Sequence, residues 1–308
     1  MDNMDKSLNK VTAAEETVKK KPPKKKMSPV MKKRKIQEWV RIGVQVVFFI
    51  FAPSIYASSF TAIKNAVTSI GQGNPLSMTG FAVQLLCVCG FTVLFGRYFC
   101  GWACAFGALG DWVYKFSQFV QTKLKKKLPK MNEKAIRICS YGKYVVLLLI
   151  VLLCFWSKEG AVIIGKNSPW TVFSMFRNLR FSISGYAIAL VLLILIIIGM
   201  AFKERFFCQF LCPMGAVFSL LPTIPFFALK RNKDNCPPKC NACKMNCPVN
   251  IKMDDGTLRE SECIRCSRCS GICPRGNLST VFGKLKGNEL APDLIRAALL
   301  LVIVLVAN

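Results

Sequence analysis

Histidine is absent from all 308 residues. Without imidazole the chain cannot hold haem through a proximal His, and it has no C-x-x-C-H attachment site. His-based zinc or copper sites, Cys–His nucleophiles and imidazole proton relays are excluded as well. Acidic residues are scarce: 16 Asp plus Glu face 43 Lys plus Arg, a formal charge of +27. No glycine fingerprint for nucleotides is evident, which argues against a stand-alone NAD(P)H dehydrogenase. What abounds is apolar surface and sulfur: 53% hydrophobic residues, a mean hydropathy of +0.38 and 16 Cys. A soluble domain of this length should be closer to neutral. High hydropathy and high charge coexist only when segregated along the chain, the pattern of a membrane protein with basic flanks. Sixteen Cys without His leave disulfides, Cys-only zinc or iron–sulfur clusters.

The segregation is legible. Residues 1–41 hold 13 basic residues in blocks interrupted by Pro22, Pro23 and Pro29. They show no apolar periodicity, so residues 1–38 are expected to form a basic, disordered cytoplasmic tail. Uncharged or apolar runs follow at Ile42–Ile63, Leu76–Phe95, Ile138–Ser157 (with Lys143 able to snorkel) and Ile183–Phe202. A bilayer core needs about 20 apolar residues as helix, so four transmembrane helices are expected, with a fifth at Ala297–Ala307 entered through Leu290–Arg296. The tail holds 13 cations, residues 97–143 ten and residues 203–296 fifteen, together 38 of 43. The positive-inside rule makes that side cytoplasmic. The charge reads as topology and attraction to anionic lipid rather than nucleic-acid binding. Phe206–Leu229 is also uncharged, but Pro213, Pro222 and Pro225 argue against a continuous helix. It is read as a surface or partly inserted segment.

There is an internal repeat. Arg97-Tyr98-Phe99-Cys100-x3-Cys104-Ala105-Phe106-Gly107-Ala108 matches Arg205-Phe206-Phe207-Cys208-x3-Cys212-Pro213-Met214-Gly215-Ala216 at a constant offset of 108. The chain therefore reads as two helical hairpins related by a pseudo-twofold axis. Cys at i and i+4 share a helix face. The pairs Cys100/Cys104 and Cys208/Cys212 then form a shared redox or metal site, or else are packed thiols or reversible disulfides. Cys87, Cys89, Cys139 and Cys154 have no motif and read as packing residues.

The strongest pattern lies downstream. Cys236-x3-Cys240-x2-Cys243-x3-Cys247-Pro248 precedes Cys263-x2-Cys266-x2-Cys269-x3-Cys273-Pro274. The second run matches the bacterial ferredoxin pattern; the first has one extra residue. In that fold the fourth Cys of each run crosses to the other cluster. One [4Fe-4S] cluster is therefore expected on Cys236, Cys240, Cys243 and Cys273, and a second on Cys263, Cys266, Cys269 and Cys247. Zinc uses four Cys per site, usually as two separated pairs, and disulfides do not suit a reducing cytoplasm. Ile251, Leu258, Ile264 and Ile272 are the expected core of this small module, which the clusters would staple.

A multi-helix membrane domain, two R-x-F-C-x3-C repeats and a double ferredoxin module resemble the membrane polyferredoxins over roughly residues 38–290. That family includes NapH-type quinol dehydrogenase subunits, the C-terminal half of NosR/NirI regulators and CcoG/RdxA-type proteins of oxidase assembly. One departure stands out: Cys104-Ala105 occurs where the family usually has Cys-Pro.

The resemblance implies a membrane all-α fold of four to five helices in two pseudo-symmetric hairpins (39–229, with 289–308 as the last helix). An α+β two-[4Fe-4S] domain is inserted at 230–288. It implies an electron-transfer subunit of a prokaryotic inner membrane, with quinone, soluble ferredoxin or flavodoxin, or an extracytoplasmic flavin- or haem-carrying protein as partners. It also leaves open a copper-handling or redox-maturation role for the C-x3-C thiols, and an additional Cys-bound metal, iron–sulfur centre or disulfide there. An outer partner would dock at residues 158–182, where Trp170, Phe173, Phe176, Arg177 and Arg180 could form an amphipathic surface helix. Lys239, Lys244, Arg265, Arg268 and Arg275 flank the cluster Cys and would raise their potential or steer an acidic donor.

Overall fold

The computed structural model describes residues 28–52, 55–75, 79–125, 131–156, 162–165, 167–177, 186–224, 229–232, 234, 236–238, 240–251, 256–258, 261–280 and 289–306. The tail expected over residues 1–27 lies outside them. Helix α1 (Pro29–Phe51) begins well before the expected boundary at residue 38. Ser28 is its N-cap, its hydroxyl accepting from Met31 N–H, and Pro29 occupies the first turn, where its missing N–H costs nothing. Lys32, Lys33 and Lys35 therefore sit on an exposed helix face rather than in an unstructured tail.

The single span expected over Ile42–Ile63 is instead broken. Helix α1 ends at Phe51, and α2 (Ile55–Gly71) leaves at a bend of 60°. In the sequence Pro53 falls between the two helices, and proline cannot donate a helix hydrogen bond. Helix α3 (Gly80–Phe95) packs on α2. The first repeat follows as a short helix α4 (Tyr98–Trp102), a break at Ala103–Cys104, and the long helix α5 (Ala105–Lys123). Then come α6 (Glu133–Cys139), α7 (Gly142–Trp156), α8 (Pro169–Arg177) and α9 (Ala187–Phe202). The second repeat mirrors the first: short helix α10 (Phe206–Phe210), a break at Leu211–Cys212, and α11 (Pro213–Leu220). Phe206–Leu220 is thus not one continuous helix, as its prolines implied.

Among the described residues, the run Glu133–Trp156 is long and apolar enough to cross a membrane, and the bent pair α1–α2 passes the same test together. Helices α3 and α9 are apolar but 16 residues each. The last helix, α14 (Leu290–Val306), lies where the fifth was expected and packs on α3 and α1.

Between α11 and α14 the chain forms a small α+β module. Strand β1 (Leu229–Arg231) lies between β2 (Gly256–Leu258) and β3 (Leu278–Thr280), antiparallel to both. Two short helices, α12 (Ala242–Met245) and α13 (Arg268–Ile272), pack on one another. The architecture is mostly helical with a ferredoxin-type module. Its main core is centred on the two repeats: Tyr98, Trp102, Phe106, Phe207 and Phe218 are all nearly inaccessible. Ile264 of the module inserts into this same core.

Candidate metal centres

The eight Cys of the module divide between two cavities. Cys236, Cys240, Cys243 and Cys273 line one, with Arg231, Asn277 and Leu278. Cys247, Cys263, Cys266 and Cys269 line the other, with Ile251, Ile264 and Arg268. Each cavity therefore receives three Cys from one run and the fourth from the other. The Cys-Pro steps turn the chain out of each short helix so that this crossing occurs. Burial pushes the thiol of Cys247 up to about 12 and raises those of Cys263 and Cys269. Alone these are neutral thiols, so loading with iron releases protons. Sulfur donors are in place around the first cavity. Asn277 N–H donates to Cys273 Sγ at 3.3 Å, and Asn277 Nδ2 and Arg231 Nη2 approach Cys236 Sγ at 3.7 and 3.8 Å.

The C-x3-C pairs also meet. Cys100, Cys104, Cys208 and Cys212 are 5–7% exposed, and all four belong to the same buried core. Cys104 and Cys212 are the N-caps of α5 and α11. Gly215 N–H donates to Cys212 Sγ at 3.2 Å, whereas Cys104, at the matching place in the first repeat, makes no side-chain cap bond. Among the described residues, no three Cys, Asp or Glu side chains are arranged to hold a single metal ion. By contrast Cys154 is buried, Cys87 and Cys89 are half-buried and Cys139 is exposed, each apart from these groups.

The two repeats clasp each other through arginine. Arg205 crosses to the first repeat, where its guanidinium bonds Cys100 O and grips Asp111 through Nε and Nη2 at 2.7 and 2.6 Å. It lies over Gly107, at a distance that leaves no room for a Cβ. Arg97, its counterpart, lies over Gly215, the counterpart of Gly107. The second repeat has Ser219 where the first has Asp111, so Arg97 finds its carboxylate elsewhere. Glu262 of the module bonds Arg97 Nη1 at 2.9 Å and pairs with Lys143. Tyr144 completes the set, touching both Glu262 and Ser219. Asp111 likewise has a second cation, Arg41, and a donor in Gln45.

Each repeat carries one loop of the module. Ile264 C=O occupies the space beside Gly101, and Trp102 Nε1 donates to Arg265 O at 3.0 Å. In the second repeat Gln209, at the position of Gly101, donates to Pro248 O at 3.3 Å. The second Cys cavity is thus seated directly on the paired repeats.

Sequence reasoning missed Asp111, Glu262, Lys143 and Arg41. One signal was available: Asp111 is the only acid between Glu38 and Glu133. The outer-surface helix expected at 158–182 is also different. Helix α8 folds inward and packs on α9, and Trp170 stacks on Tyr56 and Phe60 at 5.0 and 5.2 Å and meets Phe207 edge-on. Arg180 and Lys239 lie outside the described residues, as do the side chains of Phe176 and Arg177. Of the basic residues flanking cluster Cys, Arg268 is spent on Glu204 and Lys244 on Glu133, while Arg275 is exposed.

Comparison with known proteins agrees with this construction. The family described as 4Fe-4S binding domain matches residues 78–130 and 186–231, the two stretches that contain the repeats. The uncharacterized protein MJ0750 of Methanocaldococcus jannaschii is 32% identical over 81% of this chain and 96% of its own length. NirI of Paracoccus denitrificans is 31% identical over 57% of this chain, which covers 25% of that longer protein. The ferredoxin-type protein NapH of Haemophilus influenzae is 26% identical over 64% of this chain and 66% of its own. No solved structure matches. The chain belongs to the membrane polyferredoxin family of 4Fe-4S binding proteins.

Proposed function

We propose that this protein is a membrane-embedded iron–sulfur electron carrier, passing electrons between a cytoplasmic or quinol donor and an extracytoplasmic flavoprotein or cytochrome. The relatives support iron–sulfur electron transport in general. The crossed arrangement of the module's Cys carries the specific reading. Cys236, Cys240, Cys243 and Cys273 hold one [4Fe-4S] cluster; Cys247, Cys263, Cys266 and Cys269 hold the second. The donor set fits, because each cavity is lined by four thiols, three from one run and one from the other. Bound there, the clusters would supply one-electron carriage at low potential.

The chain's own residues do the rest. Asn277 and Arg231 offer hydrogen bonds to sulfur, which raise a reduction potential. Ile251 and Ile264 exclude water from the second cavity. Gly101, Trp102 and Gln209 seat that cavity on the repeats. The apolar faces of α3, α7, α9 and α14 enter the bilayer, with the basic tail and module on the cytoplasmic side.

The test is metal content. Anaerobically purified protein should lose about four irons on Cys240→Ser and about four on Cys266→Ser, with loss of the coupled EPR signal of two reduced cubanes. Zinc in place of iron in the module would defeat the reading.

A further inference from the structure

We propose that Cys100, Cys104, Cys208 and Cys212 together hold a third redox centre, an iron–sulfur cluster on four thiolates, with Arg97 and Arg205 as its built-in counter-cations. The proposal deepens the electron-carrier reading: it adds a centre inside the helical domain, next to the module.

Charge carries the argument. Around the four thiols stand two triads, the buried Arg41–Asp111–Arg205 and Lys143–Glu262–Arg97, in which the cations are buried and Glu262 is partly exposed. Each has two cations to one carboxylate, so together they hold a surplus of two positive charges. Arg97, Arg205 and Lys143 are at most 2% exposed. Uncompensated charge at such depth is strongly unfavourable. Other buried ion pairs nearby are balanced one to one, Arg268 with Glu204 and Arg296 with Asp293. Four neutral thiols or two disulfides would leave the surplus to the module's second cluster, which is seated on the same repeats. Four thiolates around an oxidised iron–sulfur core carry about −2 and cancel it.

The geometry agrees. Arg205 bonds Cys100 O across the repeats, and Arg97 lies beside Gly215, next to Cys208 O and Cys212 Cβ. The Nε–H of Arg97 is buried with no acceptor. At the start of α11, Gly215 N–H points at Cys212 Sγ, and Cys104 caps α5 in the same extended conformation. These are donors for anionic sulfur. Burial of all four thiols denies access to an exchange partner.

Position gives the centre a role. On one side, Gly101 puts the repeat in contact with Ile264 and the Cys266 backbone of the module. On the other, Tyr56 O–H lies 3.6 Å from Cys212 Sγ and stacks on Trp170 of the inward-folded α8. A centre there stands between the module and the loop expected on the outer face.

Iron, sulfide and zinc would be measured on the full chain purified anaerobically, with Mössbauer and low-temperature EPR, for wild type, C100S/C208S and C240S/C266S. Wild type should exceed about eight irons by two or four. C100S/C208S should fall back to about eight with the ferredoxin-type signals intact. C240S/C266S should lose those signals and still show a cluster. Because Ser in a packed core can prevent folding, the wild type alone also decides: eight irons, one zinc per chain, or recovery of Cys100, Cys104, Cys208 and Cys212 as disulfides in denaturing mass spectrometry would each overturn the third centre. Failure of the two-cluster reading looks different, since C240S/C266S would then leave the iron content unchanged.

Discussion

Glu262 is 32% exposed at its side chain, while Lys143 is fully buried and Arg97 nearly so. Burial alone would raise its carboxyl; Arg97 and Lys143 outweigh that and hold it below the usual carboxylate range. A group with a depressed folded pKa contributes stability above its unfolded value, about 4.3 for Glu, and loses it as pH falls through the folded value. The contact between module and helices should therefore weaken below about pH 4. Glu262→Gln removes the charge and strands two buried cations. It should cost on the order of 2 kcal/mol, less than a fully buried pair because water reaches the carboxylate. A thermal-shift comparison from pH 3 to pH 7 checks both points: the gap between wild type and Glu262→Gln should be widest near neutrality and close in acid. Gly101 is the other exacting residue here. A Cβ at that position would collide with the backbone carbonyl of Ile264, which has no flexible side chain to yield. Gly101→Ala should lift the Cys263–Cys266 loop from the repeat and lower iron retention, read as faster iron loss to a chelator. None of this was legible in the chain, because the partners lie more than 100 residues apart and no spacing links them.

The repeats are the element-scale lesson. Their alignment was plain in the sequence, and so was the crossing of the module's Cys. Ala105 is the one departure from the Cys-Pro step of the second repeat. Yet Cys104 and Cys212 both cap a helix in extended conformation, with φ/ψ of −68/117 and −76/111. Residue 105 is the first residue of α5, where Pro is tolerated and the residue before it must be extended, as Cys104 already is. Ala105→Pro should fold normally and gain about 0.5 kcal/mol by restricting the unfolded chain, a slight rise in melting temperature with iron content unchanged. Where sequence reading erred, it used hydropathy to set limits that local chemistry sets instead. Ile42–Ile63 is uncharged throughout, but Pro53 divides it. The charged start of α1 looked like tail, but Ser28 and Pro29 cap it. Helix α8 looked amphipathic enough for a surface, but Trp170 had aromatic partners on three other segments.

On the scale of the whole molecule, the module has little core of its own. Leu229, Cys243 and Leu278 form a small cluster against Cys269 and Cys273. Of the four residues expected in its core, Ile251 is buried, Ile264 belongs to the large core of the repeats and Ile272 is half-buried; the side chain of Leu258 lies outside the described residues. Three strands of three residues each cannot fold on such a base without a staple. The helical domain does not share this weakness, since most of its aromatic core is drawn from the helices themselves. The two parts should thus part company when iron is withdrawn. Under anaerobic chelation, amides of β1 and β3 should exchange more than tenfold faster, a local loss of at least about 1.4 kcal/mol, while those of α3, α5 and α9 keep their protection. Ile264 and Glu262 mark the seam, because they pack against the helical domain but belong to the module's chain. If hydrogen exchange shows residues 229–280 as protected without iron as with it, the module is held by docking on the repeats, and the clusters are passengers rather than the staple that their Cys pattern implies.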